Sequence, residues 1–192
     1  MLYLASSSQT RAKILRDYGV LFSQVGCGFD EEKIVAANPA EFVYKATIGK
    51  LEWAKDEYGL SAPLLCADTV VTADNAILRK PKNIDDARGI LLKQSGNTVG
   101  ILTCTAYASK ALTFIDLSIT EYFFKEFDRM ELERYLDSNG WDGKAGGCMV
   151  EGFCKQYIAK QVGLESCAMG ITIEKLLPFI GHAEPAKPDQ LR

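Results

Sequence analysis

The sequence predicts an α/β protein built on a mixed sheet. Three observations carry that expectation. Short apolar segments of strand type alternate with stretches of helical period from the first residue to about 180. Residues 99–124 hold two long strands, which read as a hairpin. No repeat or low-complexity linker interrupts a chain that is 47% hydrophobic, enough to bury one core. Residues 1–180 are therefore expected to form one domain, and residues 181–192 a loose tail.

Each element has its own signal. Leu2-Tyr3-Leu4 reads as a short strand running into Ser6-Ser7-Ser8 and then a helix whose apolar face is Ile14, Leu15 and Tyr18. Gly19 stops that helix. Pro39 suits the first turn of a second helix, continued by Phe42, Val43, Ala46, Trp53 and Ala54. Leu64-Leu65-Cys66-Ala67 and Val70-Val71 form a buried-strand pattern, and Asp74-Asn75 is the turn of a hairpin returning through Ala76-Ile77-Leu78. Asp85 or Asp86 caps a helix carrying Ile90, Leu91 and Leu92, ended by Gly96. The run from Val99 to Ile119 includes Lys110 and Asp116, so it reads as two antiparallel strands turning near Ser109-Lys110 rather than a bilayer span. Asp128 with Glu131 predicts a capping box for a helix bearing Leu132, Tyr135 and Leu136. A Gly-rich segment, a strand near Tyr157-Ile158-Ala159 and a last helix over 171–180 complete the core.

Composition excludes several function classes. With 22 Lys+Arg against 25 Asp+Glu, the chain lacks the basic excess of a clamp on nucleic acid, so no stable nucleic-acid complex is expected. The single histidine, His182, lies in the tail, which removes Ser-His-Asp and Cys-His catalysis and histidine-based zinc sites. Carboxylates, lysines or tyrosines must then move any proton. The six cysteines form no Cys-x-x-Cys pair, and the N-terminus has no basic leader. Reduced thiols in a cytoplasmic protein, with no membrane attachment, are the expectation.

Three features point to chemistry. A strand opening onto Ser6-Ser7-Ser8 and a helix gathers hydroxyls and free backbone N–H groups where phosphate oxygens bind, and Arg11 adds a planar fork. An ordinary serine cap with a surface arginine explains the same residues. Lys50 falls on the apolar stripe of its helix, with Val43 and Ala46 before it and Trp53 after it, so it reaches either the rim or a polar pocket. Asp68 is the only charge between Leu64 and Val71, and burying it is costly unless it is paired or bound to metal. It is either a structural acid with an internal partner or a metal ligand or general base. The run Asp30-Glu31-Glu32 offers a second carboxylate, and two oxygen ligands without histidine suit Mg²⁺ or Mn²⁺. Arg79-Lys80-Pro81 and the small-residue loop Lys144 to Gly152 read, taken singly, as surface turns.

Taken in order, these segments resemble the Maf family of nucleoside triphosphate pyrophosphatases. The matching stretches are Leu4-Ala-Ser-Ser-Ser-Gln-Thr-Arg11, Asp30-Glu31, Lys50, Ala67 to Val71, Arg79-Lys80-Pro81, Lys144-Ala-Gly146 and Val150-Glu-Gly152. The resemblance implies an elongated, two-lobed Maf/ITPase-like fold with a central cleft, commonly a homodimer. It implies hydrolysis of nucleoside triphosphates to monophosphate and pyrophosphate, clearing non-standard or modified nucleotides. By residue, Asp68 and Glu31 would hold a divalent cation, Mg²⁺ or Mn²⁺, with Asp68 also acting as general base. Lys50, Lys80, Ser6, Ser8 and Arg11 would neutralise the triphosphate, and Thr10, Thr69, Lys144 and Glu151 would complete the substrate site. A non-catalytic, nucleotide-binding regulator of septum formation is the alternative that the family name suggests. Gln9, Thr10, Arg79 and Glu151 depart from the family pattern. Its pyrimidine-triphosphate subgroup carries arginine and glutamine at the Thr10 and Glu151 positions, and its 7-methylguanosine subgroup tryptophan and glutamate. An ionised Glu151 can only accept, so it suits a base edge rich in donors, and the expected preference leans to guanine-type bases.

Overall fold

The computed structural model describes residues 1–180; the expected tail, with His182, lies outside the described residues. Seven strands form one mixed sheet in the order β2-β1-β3-β5-β6-β7, with β4 paired to β3. β1 (Leu2–Ala5), β2 (Phe22–Val25) and β3 (Leu64–Ala73) run parallel, connected by α1 (Gln9–Asp17) and α2 (Pro39–Tyr58). β4 (Ala76–Leu78), β5 (Thr98–Ala108), β6 (Thr113–Phe124) and β7 (Ile158–Val162) make antiparallel ladders. The fold is thus the expected α/β class with a mixed sheet.

Local chemistry accounts for most boundaries. Ser8 caps α1 by accepting from Arg11 N, and Gly19 follows it at φ 67°, a conformation that costs glycine little. Asn38 caps α2 with Pro39 in the first turn. Asp74 and Asn75 take φ of 50° and 59°, which sets the β3–β4 turn with the right-handed twist of its strands. The long hairpin turns at residues 109–112, near the expected Ser109-Lys110. Among the described residues no helix is long and apolar enough to cross a membrane.

Four expectations needed correction. The cap of α3 (Ile84–Gln94) is Asn83, whose side chain accepts from Asp86 N, rather than either aspartate. Asp128 does cap α4 (Arg129–Asp137), but Glu131 does not complete a box. Its carboxylate takes the Tyr157 hydroxyl at 2.5 Å, and that hydroxyl in turn accepts from Asp128 N. The last helix, expected over 171–180, is only the short α6 (Ile173–Leu176), preceded by a separate short helix, α5 (Glu165–Ala168). Gly170 at φ 103° separates them, and Pro178 has no N–H to extend the second. Finally, Cys148 and Cys154 form a disulfide, because the loop after α4 folds back through a turn at Phe153–Tyr157 and brings their Cα atoms to 6.5 Å. The other four cysteines are free. Burial pushes Cys66 up to about 12 and Cys104 to about 11, so neither supplies a thiolate near neutral pH.

Two cores lie at opposite ends of the long strands. One gathers Leu4, Leu15, Leu65, Tyr107, Ile171 and Leu176 around α1 and α6. The other gathers Leu91, Ile101, Tyr122, Phe124, Leu136 and Trp141 around α3 and α4. Between them, one side of β3 is open. β1 pairs only with Leu64 and Leu65, and β4 begins pairing at Val71, so residues 66–70 have no neighbour on that side. An interruption of strand pairing of this kind is where open α/β sheets form ligand crevices.

Candidate active site

The opening in the sheet gathers most of the expected residues. One cavity of about 550 Å³ is lined by Ser6, Ser8, Arg11, Glu31, Lys50, Asp68, Thr69 and Lys80. It runs through Arg11, Thr69 and Lys80 into a second, lined by Thr10, Lys144 and Met169. That space continues into a third of about 210 Å³, walled by Val71, Val99, Ile101 and Phe124 and reached by Glu151.

Period-2 alternation on β3 turns Asp68 towards α2 and Thr69 towards α1. Lys50 lies where α2 crosses the strand. Its ammonium is 2.6 Å from Asp68 Oδ1 and 2.5 Å from Glu31 Oε1. Of the two destinations open to Lys50, it takes the polar pocket. Asp68 is 7% exposed, and burial raises its pKa above the usual carboxylate range despite the opposing pull of Lys50; Glu31 reinforces the rise and Arg11 opposes it.

Glu31 arrives there through a contact that the sequence did not announce. Phe29 lies flat against α2 at Gly49, where an added Cβ would come within 2.1 Å of the ring. Gly28 fits closely beside Trp53. The segment before Glu31 is thereby fixed on the helix turn that carries Lys50. Asp30 instead caps the turn Glu31–Lys33. The acidic run thus divides into one cap and one site residue.

The serine loop and Arg11 form the facing wall. Arg11 donates from Nε to Gly170 O at 2.9 Å, and its terminal nitrogens reach Ser6 Oγ and Thr69 Oγ1, each at 3.2 Å. Burial lowers its pKa while Asp68 and Glu31 raise it, and a guanidinium remains charged throughout. Thr103 donates to Cys167 O at 2.7 Å, so its contact with Thr69 at 2.8 Å must be an acceptance. Thr69 therefore spends its proton on Thr103 and accepts from Arg11. No pattern in the sequence marks Thr103 as part of this wall. Gly170 leaves the only visible trace, a glycine whose Cβ would stand 3.1 Å from Arg11 Nε.

The remaining residues divide. Lys80 is exposed where the first two cavities meet. Lys144 lines the middle cavity, but its ammonium is turned back to Gly140 O. Thr10 and Glu151 both border the apolar cavity. Arg79 faces a separate pocket beside Asn38 and Phe42. Among the described residues no three of His, Cys, Asp and Glu converge as a cation site. Asp68 and Glu31 supply two oxygen donors, which fits a cation of the Mg²⁺ type that completes its shell with water and phosphate oxygens.

A family model described as Maf-like protein matches residues 1–183. A protein of a Nitratiruptor species named nucleoside triphosphate pyrophosphatase is 52% identical over 178 residues, 92% of this chain and 96% of that one. A Helicobacter pylori protein of the same name is 40% identical over 92% of this chain and 93% of its own. The solved structure of the Staphylococcus aureus Ham1 protein aligns with a TM-score of 0.44 at 11% identity, over 64% of this chain and 71% of that one.

Proposed function

The chain belongs to the Maf-like protein family, and from that premise we propose that it hydrolyses nucleoside triphosphates at the α–β phosphoanhydride, releasing nucleoside monophosphate and pyrophosphate. The observation that carries the reading is the carboxylate pair Asp68 and Glu31, held by Lys50 on one wall of the crevice that Arg11, Ser6 and Ser8 line on the other.

In this reading Ser6, Ser8 and the start of α1 receive phosphate oxygens, with Arg11 as a charged fork held in place by Gly170, Ser6 and Thr69. Exposed Lys80 closes on the phosphates from the far rim, and Lys144 contributes from the middle cavity once it leaves Gly140. Asp68 removes a proton from the attacking water, a role that a raised carboxylate pKa favours. Lys50 keeps Asp68 ionised and oriented and offsets charge moving onto the leaving pyrophosphate. Asp68 and Glu31 would hold Mg²⁺ or Mn²⁺, which supplies charge neutralisation for the phosphates when bound. Thr10, Thr69 and Glu151 border the space left for the nucleoside, where Glu151 favours a donor-rich base.

A homodimer and a role in clearing modified nucleotides come with the family, and these, with the cytoplasmic location expected from the sequence, belong to this proposal. The carboxylate-lysine cluster favours catalysis over a purely regulatory nucleotide site, since binding alone needs no buried carboxylate among cations. Pyrophosphate release from a panel of triphosphates, with and without Mg²⁺ or Mn²⁺, tests it. Cation-dependent release is expected; tight nucleotide binding without release would favour the regulator.

A further inference from the structure

The apolar cavity beyond Thr69 has one nearly buried polar side chain in its wall. Gln94 is 2% exposed and follows Ile90 and Leu91 by four and three residues, which places it on the core face of α3. Its amide orientation is fixed. Nε2 donates to Gly146 O at 2.5 Å and to Ile90 O at 3.3 Å, so a flipped amide would set an oxygen against two carbonyls. Neither of those partners borders the cavity, whereas Cys148, the one hydrogen-bond-distance neighbour of Oε1 among the described residues, does. That contact is 3.9 Å long, and the Cys148 sulfur is bonded to Cys154, so it has no proton to donate. Among the described residues Gln94 Oε1 is thus a buried acceptor on the cavity side with no donor.

We propose that Gln94 is a specificity-determining residue whose Oε1 accepts a hydrogen bond from an exocyclic amino group of the nucleobase. The inference rests on the pyrophosphatase reading for the identity of the ligand. Val71, Val99, Ile101 and Phe124 offer apolar surface to a flat ring, and Glu151 adds a second acceptor at the same cavity. Two acceptors and an apolar wall match a base that presents amino donors. They oppose uracil and thymine, whose carbonyl oxygens would meet the Gln94 oxygen. A buried acceptor discriminates strongly, because a base without the donor leaves it unpaired after water has been excluded.

The test uses substrate pairs differing only in an amino group: guanosine against inosine triphosphate, adenosine against purine riboside triphosphate, and cytidine against its 4-deamino analogue. Wild-type kcat/KM should favour the amino-bearing member of at least one pair by about tenfold, the scale of one well-made hydrogen bond. Gln94→Leu should bring that ratio to about one. No discrimination in any wild-type pair, or an unchanged ratio in folded Gln94→Leu, overturns the proposal. If Gln94→Leu does not fold, Gln94→Met, which keeps side-chain length, takes its place. Calorimetric affinities of α,β-methylene analogues of the same pairs judge the contact without turnover. Discrimination there with no hydrolysis would sink the reaction and sustain the contact; hydrolysis without discrimination would do the reverse.

Discussion

Lys50 Nζ stands 2.6 Å from Asp68 Oδ1, and this contact explains how a carboxylate persists in the buried middle of β3. Asp68 is raised by desolvation, so its charged form is the one that the fold disfavours, and Lys50 returns part of that cost.

Asp68→Asn keeps the shape and removes the charge. Pyrophosphate release should fall by more than about a hundredfold, as for loss of a general base. Its melting temperature should not fall, because a group with a raised folded pKa opposes folding while it is ionised. A folded mutant with near-normal turnover under saturating Mg²⁺ would remove Asp68 from the base role.

Lys50→Ala should differ from Lys80→Ala. Without Lys50, Asp68 and Glu31 face each other with only the more distant Arg11 opposing their repulsion, so melting temperature and activity should both fall. The melting deficit should shrink as pH falls from neutrality towards the ordinary carboxylate value, since Asp68, with its pKa already raised, then takes up a proton. Exposed Lys80 should lose activity alone. A Lys50→Ala deficit that grows towards acid would contradict this electrostatic account.

Much of this site was legible in the sequence, and the limits are physical. Asp68 stood out because a charge inside an apolar run needs a partner, and Lys50 because helical period placed a cation on an apolar stripe. The family resemblance pointed to Glu31, but spacing alone could not choose it from Asp30-Glu31-Glu32, since the choice depends on Phe29 meeting Gly49 twenty positions along the chain. The Cys148–Cys154 bond and the Thr69–Thr103 contact are likewise tertiary. Gln94 had a local trace, an amide three and four residues after Leu91 and Ile90, but nothing local said which end of it is tied down.

Gly49→Ala tests the tether. Its Cβ would press on the Phe29 ring, and such overpacking costs about 1–3 kcal/mol. A lower melting temperature with reduced activity is expected, and Phe29→Leu in the same chain should restore part of the stability. Unchanged melting of Gly49→Ala would show that Phe29 does not fix Glu31.

Asp116 sets an acid limit remote from the reaction. Burial works against its ionised form, but hydrogen bonds from Lys175, Ser118 and Thr172 outweigh burial and hold its pKa below the ordinary value. The unfolded chain then binds the proton first. The stability it contributes is complete above about pH 5 and declines as pH falls through the ordinary aspartate value towards the lowered one. Melting curves between about pH 3 and pH 6 should show this decline, flattened in Asp116→Asn; an equal slope in both proteins would exclude it.

The central claim concerns which bond breaks. Incubation with one triphosphate and Mg²⁺, followed by quantitation of all phosphorus-containing products, tests it most directly. Equal amounts of nucleoside monophosphate and pyrophosphate, lost on chelation of the cation, are predicted. Nucleoside diphosphate with inorganic phosphate would contradict the assignment.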